Sequence, residues 1–428
     1  MMMFELPYLH IMTKSTNLSG QPVICQLLSF IPSSIIEGCV EEHQSDYYYK
    51  VMTTYRQLVF LLYGVISRCH SLRNLCTALL FLEGKLCYLG IDKLPATSTL
   101  SDANINRSSD VFASIYHNLY EHYSPYLSDS YIRMFIGGEV DPSKVEIFDS
   151  STVSLFVDIL KGAGRNPLDG KKKGGLKIHT KMLLSGFVPD FIHLTEAACN
   201  DKIFLGQLNP SPGTVYVFDK GYVNYKVWEQ WTEQGVFYVT RLNENAQYEV
   251  LVGQPNHISE YANGGIISDQ RIRLNTDETI LEARLIIYKD PVSGKVLKFI
   301  SNMFDYSVYT VIQLYKYRWN IEVLFKKVKQ NFELGWFFSD STEGIKTQVW
   351  VALIANLIFT VIHRQVKECE LFITIVSMTS NNLGSYVSLI KLLKSTTPTG
   401  NARDIKIIQL DMFSNKQGGV IENSTKPP

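Results

Sequence analysis

Two short apolar runs end abruptly in an acid: Val145-Glu146-Ile147-Phe148-Asp149 and Thr214-Val215-Tyr216-Val217-Phe218-Asp219. Each is too short for a stable helix and rich in β-branched or aromatic residues, so each reads as a buried strand. A carboxylate at the end of such a strand is costly unless it is paired, hydrogen-bonded or bound to a cation. Taken alone, either acid is more often a turn or cap residue than a catalyst. Around them, Thr152 to Val157, Leu176 to Ser185 and Val188 to Thr195 carry strand patterning, an antiparallel meander. Tyr222 to Gln234 reads as a helix and Val236 to Leu242 as a strand. Strands followed by a strand-helix-strand unit indicate an α/β or α+β core.

At 428 residues the chain exceeds what one hydrophobic core usually serves, so several domains are expected. Met1 to Ile11 reads as a start extension, with the natural chain beginning near Met12. Residues 12–135 are helical and apolar, with helices expected over Gln57 to Ser67 and Leu72 to Leu82. There Asn104, Asn106 and Arg107 are side-chain types that read base edges. A helix-turn-helix and an ordinary bundle with a polar surface fit them equally. The α/β core begins over 140–242, and 243–302 is a β-rich insertion broken by Gly-Gly, Asn-Thr-Asp and Asp-Pro-Val-Ser-Gly turns. Long helices, Val308 to Asn331 and Gly344 to Lys367, fill 303–370, and 371–428 ends in a tail expected to be mobile.

Composition removes several function classes. Apolar residues are 46% and charged residues 19%, which excludes wholesale disorder. Lys plus Arg and Asp plus Glu are both 41, so there is no overall basic coat, although a local basic groove is allowed. Seven cysteines without CxxC spacing point to reduced thiols in a cytoplasmic protein, and nine histidines show no HExxH zinc pattern. The most apolar stretch, Val349 to Ile362, falls short of the roughly 20 residues that span a bilayer. A buried helix is expected.

Tyr315, Arg318, Glu322 and Lys329 follow the spacing Y-(2)-R-(3)-E-(6)-K. At about 100° per residue they project to about 0°, 300°, 340° and 320°, one narrow face of a helix. Tyr317, Ile321, Leu324 and Val328 form a separate apolar stripe. A second basic concentration runs from Lys161 to Lys181, with Lys171, Lys172, Lys173 and Lys177 around Gly174 and Gly175. Backbone near paired glycines can approach a phosphate closely.

Asp149-Ser150-Ser151-Thr152, Asp219-Lys220-Gly221-Tyr222 and the Y-R-E-K helix together resemble the three catalytic blocks of DDE transposases of the insertion-sequence four family. The order matches, and a β-rich insertion between the second and third acids is a family feature. The resemblance covers Val145 to Gln365 and implies a ribonuclease-H-like α/β core preceded by an all-helical N-terminal domain. It implies that Asp149, Asp219 and Glu322 form a metal-binding triad for Mg2+, with Mn2+ as substitute. Tyr315, Arg318, Lys329 and Lys326 then meet DNA phosphates, Lys177 and His179 match a lysine and histidine common on that strand, and Asn104 and Arg107 belong to the end-binding domain. The implied function is cut-and-paste transposition on double-stranded DNA by a homodimer in the cytoplasm, nucleoid-associated when bound, without a membrane.

Well-studied members also hold a flipped base with a tryptophan of the insertion. None lies between Asn243 and Asn302, leaving Tyr248, Tyr261 and Tyr288 as stacking candidates. A transposase-derived DNA binder without cleavage activity is the main rival. A glycosidase-like carboxylate-pair hydrolase is another, but it has no use for the basic loop.

Overall fold

The computed structural model describes residues 20–127, 138–154, 175–197, 199–251, 265–275, 280–366 and 371–394. The expected start extension, most of the basic run and the expected mobile tail lie outside them.

Among the described residues six α-helices come first: α1 (Val23–Leu28), α2 (Ser33–His43), α3 (Thr54–Ile66), α4 (Leu72–Leu79), α5 (Thr97–Asn106) and α6 (Asp110–Leu127). Side-chain caps set the starts of two of them. Thr53 accepts from the Arg56 N–H ahead of α3, and Ser71 from the Asn74 N–H ahead of α4.

A nine-stranded sheet follows. Its strands are β1 (Val145–Ser154), β2 (Gly175–Leu183), β3 (Pro189–Glu196), β4 (Val215–Phe218), β5 (Phe237–Arg241), β6 (Glu249–Val250), β7 (Gly265–Asn275), β8 (Ile280–Lys289) and β9 (Val296–Ser301). The spatial order is β3-β2-β1-β4-β5-β9-β8-β7-β6. β1, β2 and β3 form the expected antiparallel meander, while β4 and β5 join parallel to β1. α7 (Lys202–Leu205) and α8 (Tyr225–Glu233) lie in the connections around β4. Two expected strands, Val145 to Phe148 and the one from Thr152, are one continuous β1. The β-rich insertion is not a body apart, because β9 pairs with β5 and carries the same sheet onward.

Strand alternation sorts the sheet into two faces. Val145, Ile147, Val215, Val217 and Val239 enter one hydrophobic cluster, and Phe148, Tyr216, Phe218 and Tyr238 enter the other. The second face is covered by Trp228 and Trp231 of α8. Against the first pack α9 (Val308–Tyr317) and α10 (Trp319–Asn331), followed by α11 (Thr342–Gln365), α12 (Phe372–Ser380) and α13 (Leu389–Lys394).

The helix expected as continuous over Val308 to Asn331 is divided at Arg318. There the Arg318 N–H bonds to the Tyr315 carbonyl and the Ile321 N–H to the Arg318 carbonyl, a local tightening to three-residue spacing.

Among the described residues the N-terminal helices share one hydrophobic core with the later helices. α3, α5 and α6 all pack on α11, and one hydrophobic cluster runs from Val23 to Leu393. Among the described residues α11 is the one helix long and apolar enough to cross a membrane by length and composition, and 89% of its most apolar window is buried within the protein.

Candidate active site

The alternation that buries Ile147 and Val217 carries Asp149 and Asp219 to the same face, one residue past the last aromatic of each strand. Phe148 and Phe218 are register partners, and their rings stack at 4.7 Å on the opposite face. That pair ties the middle of β1 to the end of β4, so the acids that follow are held side by side. α9 and α10 lie above them and bring down Tyr315, Arg318, Glu322 and Lys329.

Arg318 is the centre of the arrangement. Its Nη1 donates to Asp149 Oδ2, and its Nη2 donates to Glu322 Oε1 at 2.7 Å. The Tyr315 hydroxyl donates to Asp219 Oδ1 at 3.1 Å. Lys329 Nζ donates to Ser151 Oγ at 3.1 Å and to the Thr152 carbonyl at 3.0 Å, tying the end of α10 to β1. An open cavity of about 410 Å³ lies here, lined by Asp149, Ser150, Ser151, Glu322, Lys326 and Lys329 among others. Lys326 is exposed at its rim.

The electrostatics divide the acids. Burial pushes the Asp149 carboxyl up to about 6, against the opposing pull of Arg318 and of the Ser150 N–H. Burial also raises Asp219, but the guanidinium groups of Arg318 and Arg241 outweigh it and leave that carboxyl below its ordinary range. Arg318 is buried, and its carboxylate neighbours hold it in the charged form.

The donors suit a hard divalent cation, which takes carboxylate oxygens and keeps several waters. Asp149 and Glu322 already converge on a positive charge, with the Arg318 guanidinium standing in for an ion. In this arrangement no three His, Cys, Asp or Glu side chains among the described residues enclose an ion site. The Arg318 guanidinium lies between Asp149 and Glu322.

Several expected DNA contacts are placed otherwise. Asn104 is 2% exposed and accepts from Gln57 Nε2. Arg107, also 2% exposed, donates to Gln57, Asp46 and the Met52 carbonyl and lies over the Tyr49 ring. Both are interior braces and cannot read bases. His179 is buried against Phe204, bonds Thr195, and is kept neutral by burial, which lowers it to about 4. It offers no charge to a phosphate. Lys177 turns to Asp201 and the Cys199 carbonyl rather than outward. Tyr315 is buried on Asp219, and Arg318 on two carboxylates, so neither presents a free face to a phosphate in this form.

Lys171, Lys172, Lys173 and Tyr261 lie outside the described residues. Tyr288 is buried in the sheet under Lys316, which removes it as a base-stacking surface. Tyr248 is half-buried.

Two charged residues escaped the sequence reading. Asp201 receives the Ser150 hydroxyl at 3.0 Å and pairs with Lys177, bracing β1 just past Asp149. Arg241 donates to Asp219 Oδ1 at 2.9 Å. Its signal was present: the strand Phe237 to Arg241 also ends in a charge, at the parity of Val239.

A family model described as the transposase DDE domain matches residues 140–358, which include every residue of this site. The chain belongs to the transposase DDE domain family. Its function is that of a DNA transposase, and it is an enzyme. A separate family, a domain of unknown function, matches residues 19–92.

Three similar proteins carry provisional transposase names. That of Sinorhizobium fredii, y4zB, is 24% identical over 63% of this chain and 72% of its own. That of insertion sequence element IS5377 from Geobacillus stearothermophilus is 24% identical over 53% and 59%. That of element IS4SA from Synechocystis is 23% identical over 61% and 70%. These relatives agree with the resemblance read from the three blocks. A cryo-EM structure of the piggyBac transposase synaptic complex with hairpin DNA aligns with 95% of this chain and 88% of its own, at a TM-score of 0.40 and 11% identity, too distant to fix the fold.

Proposed function

We propose that this transposase cuts and joins DNA strands at the terminal inverted repeats of an insertion sequence, using divalent cations held by Asp149, Asp219 and Glu322. The observation that carries the reading is the convergence of all three acids on one arginine-tyrosine pair: Arg318 touches Asp149 and Glu322, and Tyr315 touches Asp219. The strand order β3-β2-β1-β4-β5, with an antiparallel meander and two parallel strands, supports a ribonuclease-H-like core.

A bound Mg2+, or Mn2+ in its place, would polarise the scissile phosphate and lower the pKa of an attacking water or 3′ hydroxyl. The chain's own residues do the rest. Asp149 must give up its proton before it can serve as a ligand. Arg318, released from the acids, has the planar fork that grips a phosphate, and Lys326 and Lys329 supply point charges along the cavity. Phe325 and Ile321 form an apolar part of the cavity wall. End recognition falls to the helical N-terminal region, through surface residues other than Asn104 and Arg107, and the working species is a homodimer bridged by DNA.

The test is a nicking assay on a linear duplex carrying the sequence that flanks the coding region, with Mg2+ and with a chelator. Asp149→Ala, Asp219→Ala and Glu322→Ala should each abolish nicking while duplex binding persists. Nicking that survives chelation, or any one of these variants, removes the proposal or that residue from it. Wild-type binding without nicking would leave a DNA binder.

A further inference from the structure

Arg241 lies outside the three sequence blocks, yet it is built into their face. Val217 pairs with Val239, so the register continued by two residues sets Arg241 beside Asp219. Its Nη2 donates to Asp219 Oδ1 at 2.9 Å, and the same oxygen accepts from the Tyr315 hydroxyl at 3.1 Å. The guanidinium carbons of Arg241 and Arg318 lie 5.8 Å and 5.5 Å from the Tyr315 ring centre, so two arginines flank one ring.

The telling atom is Nε of Arg241, which is buried without a partner, as is Nε of Arg318. Nε and Nη2 form the lateral fork of a guanidinium, a pair of parallel donors matched to two oxygens of one anion. Asp219 uses one tine and leaves the other unmade. A buried donor left unmade is costly, and two such donors beside one ring call for an acceptor that arrives from outside.

Resting on the reading above, we propose that Arg241 is a positioning residue that holds Asp219 until a divalent cation takes that carboxylate, and then holds a DNA phosphate with its lateral fork. A cation held by Asp219 would compete with the guanidinium for that carboxylate. Both tines are then free together, at the end of a strand beside the scissile site. A dianionic carboxylate pair does not offer itself there, because Asp149 and Glu322 face Arg318. The phosphate backbone supplies paired oxygens of the right geometry.

The experiment compares full-length wild type with Arg241→Gln and Arg241→Lys in two binding measurements. The first is calorimetric titration with Mn2+ in the absence of DNA. The second is binding of the flanking-sequence duplex in Ca2+ across a salt series. Arg241→Gln should bind Mn2+ several-fold more tightly, because the competing guanidinium is gone. Its duplex affinity should fall, with the salt slope reduced by about one. Arg241→Lys should keep the slope but bind the duplex about tenfold more weakly, having a charge without a fork.

Unchanged Mn2+ affinity and salt slope in a Gln variant that melts like wild type would make Arg241 structural and overturn the proposal. If the Gln variant does not fold, the Lys variant decides alone, and a wild-type duplex affinity in it overturns the fork. Wild type that binds neither Mn2+ nor duplex fails the functional reading itself, and the role of Arg241 with it.

Discussion

Asp149 and Asp219 are neighbours with opposite proton affinities, and the difference has a measurable consequence. Between about pH 4 and 6 the folded, cation-free protein retains on Asp149 a proton that the unfolded chain releases near 3.9. The folded state therefore binds more protons there, and its stability falls as pH rises through that window. A divalent cation needs the carboxylate, so its affinity should rise about tenfold per pH unit up to about 6 and level off above it. Mn2+ titrations between pH 5 and 7.5 read this directly, and a flat profile would remove Asp149 from the ligands. Both acids were legible in the sequence because the signal is local, an apolar run that stops at a charge. Asn104 and Arg107 were misread because side-chain type was visible and burial was not. Their partners Gln57 and Asp46 lie 47 to 61 residues upstream, beyond any local pattern.

At the scale of elements, periodicity recovered the meander, the β4-α8-β5 unit and α11, each of which buries a face that its own spacing encodes. It missed the division at Arg318. The apolar stripe passes through that point undisturbed, and the tightening is visible only in hydrogen bonds. It also missed that β9 joins β5, since edge pairing between strands 60 residues apart leaves no mark in either strand. The start of α11 was read two residues late, at Gly344, whose role is steric. Ser341 caps the helix by accepting from the Gly344 N–H and donates to the Asn104 carbonyl. A Cβ at Gly344 would lie 2.9 Å from that carbonyl oxygen and collide with Ser339. Gly344→Ala should therefore separate α11 from α5 and cost about 1–3 kcal/mol. Thermal melting checks it, and an unchanged Tm would show that Ser339 yields freely.

Across the whole molecule, the N-terminal helices matter to the active site through packing, whatever DNA they touch. The Glu333 N–H bonds to the Val65 carbonyl, and Arg68 donates to the Gln330 carbonyl, so the end of α3 and the residues just after it brace the end of α10, where Lys329 sits. Tyr116 of α6 donates to the Pro189 carbonyl at the start of β3. The Ser109 N–H reaches Glu343 at 2.7 Å in the first turn of α11. Removing these helices would bare the apolar surface of α11 along most of its length, a patch far larger than soluble surfaces tolerate. A chain beginning at residue 138 should then aggregate, and co-expression with residues 1–137 should restore a soluble complex whose Mn2+ affinity matches the intact protein. Light scattering and a cooperative melt distinguish the cases. A soluble, monomeric fragment that melts cooperatively alone would mean that α11 finds other cover, and that the N-terminal helices and the rest of the chain are separable bodies after all.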